Sequence, residues 1–350
     1  MASESSRSRT NKGENLMGRA RTLPVLLAAS FFAAPASAHH SDIAFDTESV
    51  VAFQGTVTDY SWRNPHVYVR VETVDTGEPI EWEIQTGSTP IMSRSGWTSD
   101  SFLIGDRVTV RGHPERDPDR KYASLQSIEK EDGSLFVRNM GESPPAAVAD
   151  SLSGRWRATE ESFFPAFEAL QNAPMTERGV AIQAAYDIFS DSSLLACQAQ
   201  PAPIAPAMAA VLFVAEIEIG DDVAFIRSEY YDTERTVFMD GRDHPEDGER
   251  TNHGHSIGRW EGDTLVVDTT LFSDHPSPYQ NGLPSGAQKH VVERYSLDDD
   301  GATATVEIQL EDPEYLAEPY TATIVWQYTP DLEMFAYNCN PEVSRQFSLR

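Results

Sequence analysis

In the stretch TATVEIQL, residues 303–310, Val306, Ile308 and Leu310 fall on one side of an extended chain while Thr305, Glu307 and Gln309 fall on the other. Period-two alternation of this kind is what a sheet with one dry face and one wet face requires. The same pattern recurs along most of the chain and confines it to a mainly antiparallel, all-β fold. Between residues 50 and 138, VVAFQGTVTDYSW, HVYVRVETV, IEWEIQT, DRVTVRGHP and KYASLQSIEK read as five short strands, with STPIMSRSG the one helical candidate among them. Five strands in about a hundred residues predict a small closed barrel of the OB type.

GESPPAAVADSLSG, residues 141–154, breaks the alternation and reads as a linker. Beyond it, GRWRATEE is strand-like, and FFPAFEALQNAPMTERGVAIQAAYDIF has the three- and four-residue recurrence of one or two helices. After the proline-rich QPAPIAPAM, eight further strands are expected: AVLFVAEIEIG, DVAFIRSEYY, RTVFMD, DTLVVDTTLF, KHVVERYSL, ATATVEIQLED, TATIVWQYT and MFAYNC. Eight strands suit a larger antiparallel, lipocalin-like barrel with room for a ligand, and a half-open sandwich is the alternative. The expected organisation is a signal peptide over 1–38, an OB-like domain over 39–140, a linker over 141–152 and the larger barrel over 153–350.

The first segment of that plan rests on basic Arg19 and Arg21, the apolar run LPVLLAASFFAA and the small-x-small site Ala36-Ser37-Ala38. The apolar run is too short to span a bilayer, so a periplasmic or secreted product is expected, translated from Met1 or from Met17. No later segment is apolar enough over enough length to be a helical span. An oxidising compartment and an even count favour pairing of Cys197 with Cys339 over two buried thiols. The formal net charge is −28, and removing five basic and two acidic residues with the signal takes it to about −31. A chain so acidic, with no basic face, argues against nucleic acid as a partner. Solubility in salt explains the acidity, and attraction of cations is a weaker consequence.

Titratable groups crowd RTVFMDGRDHPEDGERTNHGHSIGRWEGDTLVVDTT, where Arg235, Asp240, Arg242, His244, His253, His255, Arg259, Glu261 and Asp263 lie within thirty residues. Such density beside strands fits a polar site at a barrel mouth, and it equally fits two solvated hairpin loops. In a site, His244 or His255 would serve as acid or base with Asp240 orienting it, while Arg242 and Arg259 would bind a carboxylate or phenolate. His275 and His290 lie apart and read as surface residues. GHSIG, residues 254–258, spells G-x-S-x-G, but its loop-then-strand surroundings are wrong for a nucleophile elbow.

Cleavage after Ala38 makes His39 the amino terminus. Its α-amine and ring Nδ1, with a nitrogen from His40 or from His66 in WRNPHVYV, form a three-nitrogen set suited to copper. The plainer reading is a solvated terminus beside a strand-edge histidine.

HHSDIAFD, VVAFQGTVTDYSWRNPHVYVRV, SGWTSDSFLIGDRVTVRGHP and YASLQSI resemble an uncharacterised family of small exported bacterial proteins that begin with His-His-Ser and carry Asn-Pro-His before the second strand. His39, His40, Ser41, Asn64, Pro65 and His66 match that pattern, which favours the metal reading. SEYYDTERTVFMDGRDHPEDGERTNHGHSIGRWEGDTLVVDTTLF, with VVERY, EDPEYL and YNCN, is similar to a second uncharacterised exported β-family, whose cysteines are placed as Cys197 and Cys339 are. That family varies before Gly-Arg-Trp, so the resemblance gives His253 no role. The expected function is an exported protein with a copper site at its start and a small-molecule site in its second barrel. The rivals are a cofactor-independent lyase, isomerase or hydrolase acting on an apolar or phenolic substrate, and a ligand carrier without chemistry.

Overall fold

The computed structural model describes residues 45–75, 77–137, 147–187, 193 and 196–348. The first barrel uses β1 (Val51–Ser61), β2 (Tyr68–Asp75), β3 (Glu78–Gln85), β4 (Arg107–Pro114) and β5 (Tyr122–Lys130). They pair in the order β3-β2-β1-β4-β5, and a parallel contact between β3 and β5 closes the ring. The short β6 (Leu135–Val137) pairs with β5. The helical candidate forms α1 (Thr89–Arg94), between β3 and β4, with Pro90 in its first turn where no amide hydrogen is needed. Val57, Val69, Val71, Ile84, Val110 and Ile128 face inward and are almost completely buried. Each contributes roughly 1.5–3 kcal/mol by leaving water.

The second barrel has nine strands: β7 (Gly154–Ala158), β8 (Ala215–Ile219), β9 (Val223–Ser228), β10 (Thr233–Phe238), β11 (His255–Glu261), β12 (Thr264–Thr270), β13 (His290–Leu297), β14 (Thr303–Glu311) and β15 (Tyr320–Tyr328). The closed order is β10-β11-β12-β13-β14-β15-β7-β8-β9. Two helices, α2 (Glu160–Gln171) and α3 (Glu177–Ala185), follow β7.

This corrects the expected eight-stranded antiparallel barrel in three ways. HSIGRWE is a strand, and it runs parallel to β10 with Val237 opposite Ser256. Its inward face carries Ser256 and Gly258, so the alternation has no apolar letters to show. A Cβ on Gly258 would collide with the Met239 sulfur and Val237, which is why the parallel crossing needs glycine there. Conversely, MFAYNC is no strand. Its amides donate to side-chain carboxylates, Phe335 N to buried Glu229 Oε1 at 2.7 Å, Tyr337 N to Asp232 Oδ1 at 2.6 Å and Asn338 N to Asp232 Oδ2 at 2.8 Å, so they need no sheet neighbour. Regular strand also starts only at Ala215, because Ala209–Val211 closes a helical turn first.

Cys197 and Cys339 are bonded, across 142 residues of chain. The bridge fixes the irregular C-terminal run and not the last strand, as the sequence had suggested. That run then crosses to the first barrel, where Val343 of α4 (Pro341–Ser348) packs with Phe45, Tyr68 and Tyr122. Asn64 takes part on both sides, with its Oδ1 accepting from Thr89 N at 2.7 Å and its amide donating to Tyr337 O. Arg94 of α1 reaches Glu229 in a buried ion pair, and Glu229 Oε2 also accepts Val214 N at 2.8 Å.

Candidate functional site

Strand register decides which polar residues face the inside of the second barrel. On β13, Val291, Glu293 and Tyr295 point inward opposite Leu310, Ile308 and Val306 of β14, and the same alternation puts Lys289 and Asp312 inside at one end. On β10, Arg235 points inward beside Ile226 of β9. Arg235 and Glu293 meet across the interior at 2.6 Å, with side chains 2% and 0% exposed. The Tyr295 hydroxyl lies between them, accepting from Arg235 Nη2 at 3.3 Å and donating to Glu293 Oε1 at 3.0 Å. Trp326 packs edge-on against the Tyr295 ring.

At the end of the barrel, the Lys289 amine stands 4.4 Å from the centre of the Phe272 ring and 4.9 Å from that of Tyr279. Burial pulls this amine down to about 7, against the attraction of Asp312 and Glu293. Asp312 Oδ2 accepts the Tyr279 hydroxyl at 2.8 Å and Gly286 N at 3.0 Å, and burial raises its carboxyl above the usual range. Burial, then Arg235 and Lys289, push His253 down to about 4, so it is neutral. Among the described residues, Lys289 Nζ, Arg235 Nε and Asp312 Oδ1 are buried and make no hydrogen bond. Buried polar atoms without partners are costly and uncommon, and here Lys289 Nζ lies over two aromatic rings and within reach of the Asp312 and Glu293 charges.

The histidines singled out from sequence sit on the opposite, outer face. His244 Nδ1 lies 2.8 Å from His255 Nδ1, and His244 Nε2 lies 3.2 Å from Asp268 Oδ1. His290 Nε2 shares that oxygen at 2.8 Å. Burial raises the Asp268 carboxyl, but the bonds and charges of His290 and His244 outweigh it and leave the value lowered. An ionised carboxylate only accepts, which assigns a hydrogen to Nε2 of both histidines. Between His244 Nδ1 and His255 Nδ1 one ring nitrogen donates and the other accepts, in a direction set by the protons the two rings carry. Burial, then His244 and Arg242, lower the His255 value, which favours its neutral ring. Its ring stacks on Phe238, over which Arg242 lies at 4.0 Å.

Several expected roles change accordingly. Asp240 does not orient a histidine; it is held at about 2 by its bond to Arg242, 2.5 Å away, and Asp268 takes the orienting position. Arg242 and Arg259 are engaged with Asp240 and Glu261 on the exposed surface, where they have carboxylate partners already. His290 belongs to the histidine cluster, and His275 is buried, its Nδ1 accepting Ser277 N at 3.1 Å. Ser256 is an interior residue bonded to Thr269 Oγ1 at 2.8 Å, so GHSIG forms no elbow. The interior groups had a signal that went unused: in HVVERYSL the acid Glu293 stands in the dry register between Val291 and Tyr295.

His39 and His40 lie outside the described residues. His66 is described, and its Nδ1 lies 3.0 Å from Thr86 O. A carbonyl oxygen only accepts, so Nδ1 bears a hydrogen. Among the described residues, no three His, Cys, Asp or Glu side chains are grouped so as to hold a metal.

Residues 27–124 match a protein family of unknown function, DUF6152, and the matched stretch contains His39, His40 and His66. No curated protein matches the chain. Among solved structures, the chain is similar to a mutant of the fluorescent protein UnaG, at 12% identity and TM-score 0.26 over 51% of this chain and 95% of that one. It is likewise similar to a secretary abundant heat soluble protein from Ramazzottius varieornatus, at 11% identity and TM-score 0.26 over 52% of this chain and 100% of that one.

Proposed function

We propose that the protein is exported and that its second barrel binds one small organic molecule inside, at the end lined by Lys289, Phe272, Tyr279 and Arg235. The observation that carries this is the set of buried polar atoms without hydrogen-bond partners, with Lys289 Nζ lying over the Phe272 and Tyr279 rings. A ligand with an apolar body and one oxygen-bearing end satisfies both the rings and the polar atoms. The bonded cysteines support export, since such bonds persist in oxidising compartments. Titration with anilinonaphthalene sulfonate, an aromatic anion, tests the reading. One saturable site is expected, weakened at least tenfold, about 1.4 kcal/mol, in the variant Arg235→Met with Glu293→Leu. Unchanged binding in that folded variant refutes an interior site.

The first barrel supports the OB-type reading through its ring order and the placement of α1 between β3 and β4. The second functional reading is copper held by the His39 terminus and His66. His66 supports it because metal-binding histidines commonly donate the other ring hydrogen to a carbonyl, as Nδ1 does to Thr86 O. One residue added ahead of His39 converts its amine into an amide and should weaken copper at least tenfold, about 1.4 kcal/mol, in a competition titration. Equal affinity with and without the extension removes copper from the function.

A further inference from the structure

Of the 27 basic side chains only four are lysine: Lys12, Lys121, Lys130 and Lys289. Arginine supplies the cation in almost every ion pair described above, and no lysine follows Lys289 or lies between it and Lys130. The residue type matters, because a guanidinium stays charged in any protein environment whereas a buried amine gives up its proton. Lys289 is fully buried on the inward register of β13, its Nζ above two aromatic rings and without a hydrogen-bond partner among the described residues. The turn that carries it is shaped around Asp312: Gly286 N donates to Oδ2, and a Cβ on Gly286 would collide with Oδ1. The charged and titratable groups facing the amine are Asp312, Glu293, Arg235, His253 and the phenol of Tyr279.

Resting on the interior-ligand reading above, we propose that the second barrel captures an aldehyde or ketone by forming an imine with Lys289. The Nζ lone pair adds to the carbonyl carbon, and a proton passes from nitrogen to the new alkoxide to give a carbinolamine. The hydroxyl then leaves as water as the nitrogen lone pair forms the C=N bond. Asp312 supplies the proton that the departing oxygen takes and recovers one from the nitrogen, so the sum is one carbonyl and one amine giving one imine and one water. Raised by burial, the Asp312 carboxyl suits a donor. At pH 7 an amine titrating near 7 is about half neutral, whereas an ordinary surface lysine is neutral in roughly one molecule in 2,500.

The test uses the whole chain, 1-naphthaldehyde with cyanoborohydride to reduce the imine, and peptide mapping. One adduct is expected, on Lys289, forming on the order of a hundredfold faster than any on Lys121 or Lys130. Parallel titration with 1-naphthalenemethanol, which cannot form an imine, reads non-covalent binding. Lys289→Arg and Lys289→Met should lose the adduct. Binding of the alcohol with adducts only at Lys121, Lys130 or the terminal amine overturns the imine and leaves the ligand site standing. Failure of both compounds to bind overturns the two together. Because wild-type mapping alone decides the matter, misfolding of a variant does not protect the proposal.

Discussion

Arg235→Met removes one partner of an ion pair whose two side chains are 2% and 0% exposed, and leaves Glu293 charged in a closed interior. Breaking a buried pair from one side costs about 3–5 kcal/mol, most of it the penalty of the stranded charge. The Tyr295 hydroxyl then loses the Arg235 donor at 3.3 Å but keeps its 3.0 Å bond to Glu293, so it adds little. Replacing both charges, Arg235→Met with Glu293→Leu, removes the stranded carboxylate but orphans that hydroxyl, at about 1–3 kcal/mol. Adding Tyr295→Phe completes an apolar exchange, which should return stability to the wild-type level or above it. Urea unfolding followed by far-ultraviolet dichroism separates the cases. With a slope near 3 kcal/mol/M, the single variant loses about 1–1.7 M in midpoint. The triple variant should unfold at or beyond the wild-type midpoint and bind no anilinonaphthalene sulfonate. A loss under about 1 kcal/mol in Arg235→Met would refute a sealed interior pair.

The cysteine bond closes 142 residues of chain, so in the chain-entropy model Cys339→Ala should cost about 5 kcal/mol, read from the urea midpoint under non-reducing conditions. Arg94→Met strands Glu229, whose side chain is 0% exposed, and should cost about 3–5 kcal/mol, and adding Glu229→Gln should recover only part of it, because the new amide nitrogen cannot accept and leaves one oxygen for both Val214 N and Phe335 N. The bond to Asp268 raises His290, so the stabilisation is complete below the unfolded histidine value near 6.5 and fades as pH climbs through the higher folded value. Asp268→Asn should therefore lower the melting temperature more at pH 6 than at pH 9, and an equal loss at both would sever the coupling. Nitrogen-15 imidazole spectra should find hydrogen on Nε2 of both His244 and His290, facing Asp268; a bare Nε2 on either ring would contradict the shared carboxylate contact.

Much of the architecture was legible because alternation is a direct record of which face is dry. The five strands of the first barrel and seven of the eight strands expected after the helices are present, most of them marked by apolar residues at alternate positions, and STPIMSRSG forms α1. The pattern fails where the inward residues are small or polar, as at Ser256 and Gly258 of β11. It misleads where apolar residues pack without a sheet partner, as in MFAYNC, whose amides bond to Glu229 and Asp232. Proximity in sequence brought His244 and His255 to notice, and they do touch. It could not supply Asp268 or His290, because they come beside His244 only through the pairing register of β11 with β12 and of β12 with β13. The interior cluster was hidden for the same reason: Arg235, Lys289, Glu293 and Asp312 span four strand connections.

The location of the ligand site is the central claim, and photolabelling reads location directly. An aromatic diazirine with a single carbonyl or carboxylate end, irradiated with the whole protein and mapped by peptide sequencing, reports the residues around it. Labels on Phe272, Tyr279 and the segment carrying Lys289, suppressed by excess 1-naphthalenemethanol, are the result this reading predicts. Suppressible labels on Phe238 and His255 of the outer wall, with none inside, would contradict it.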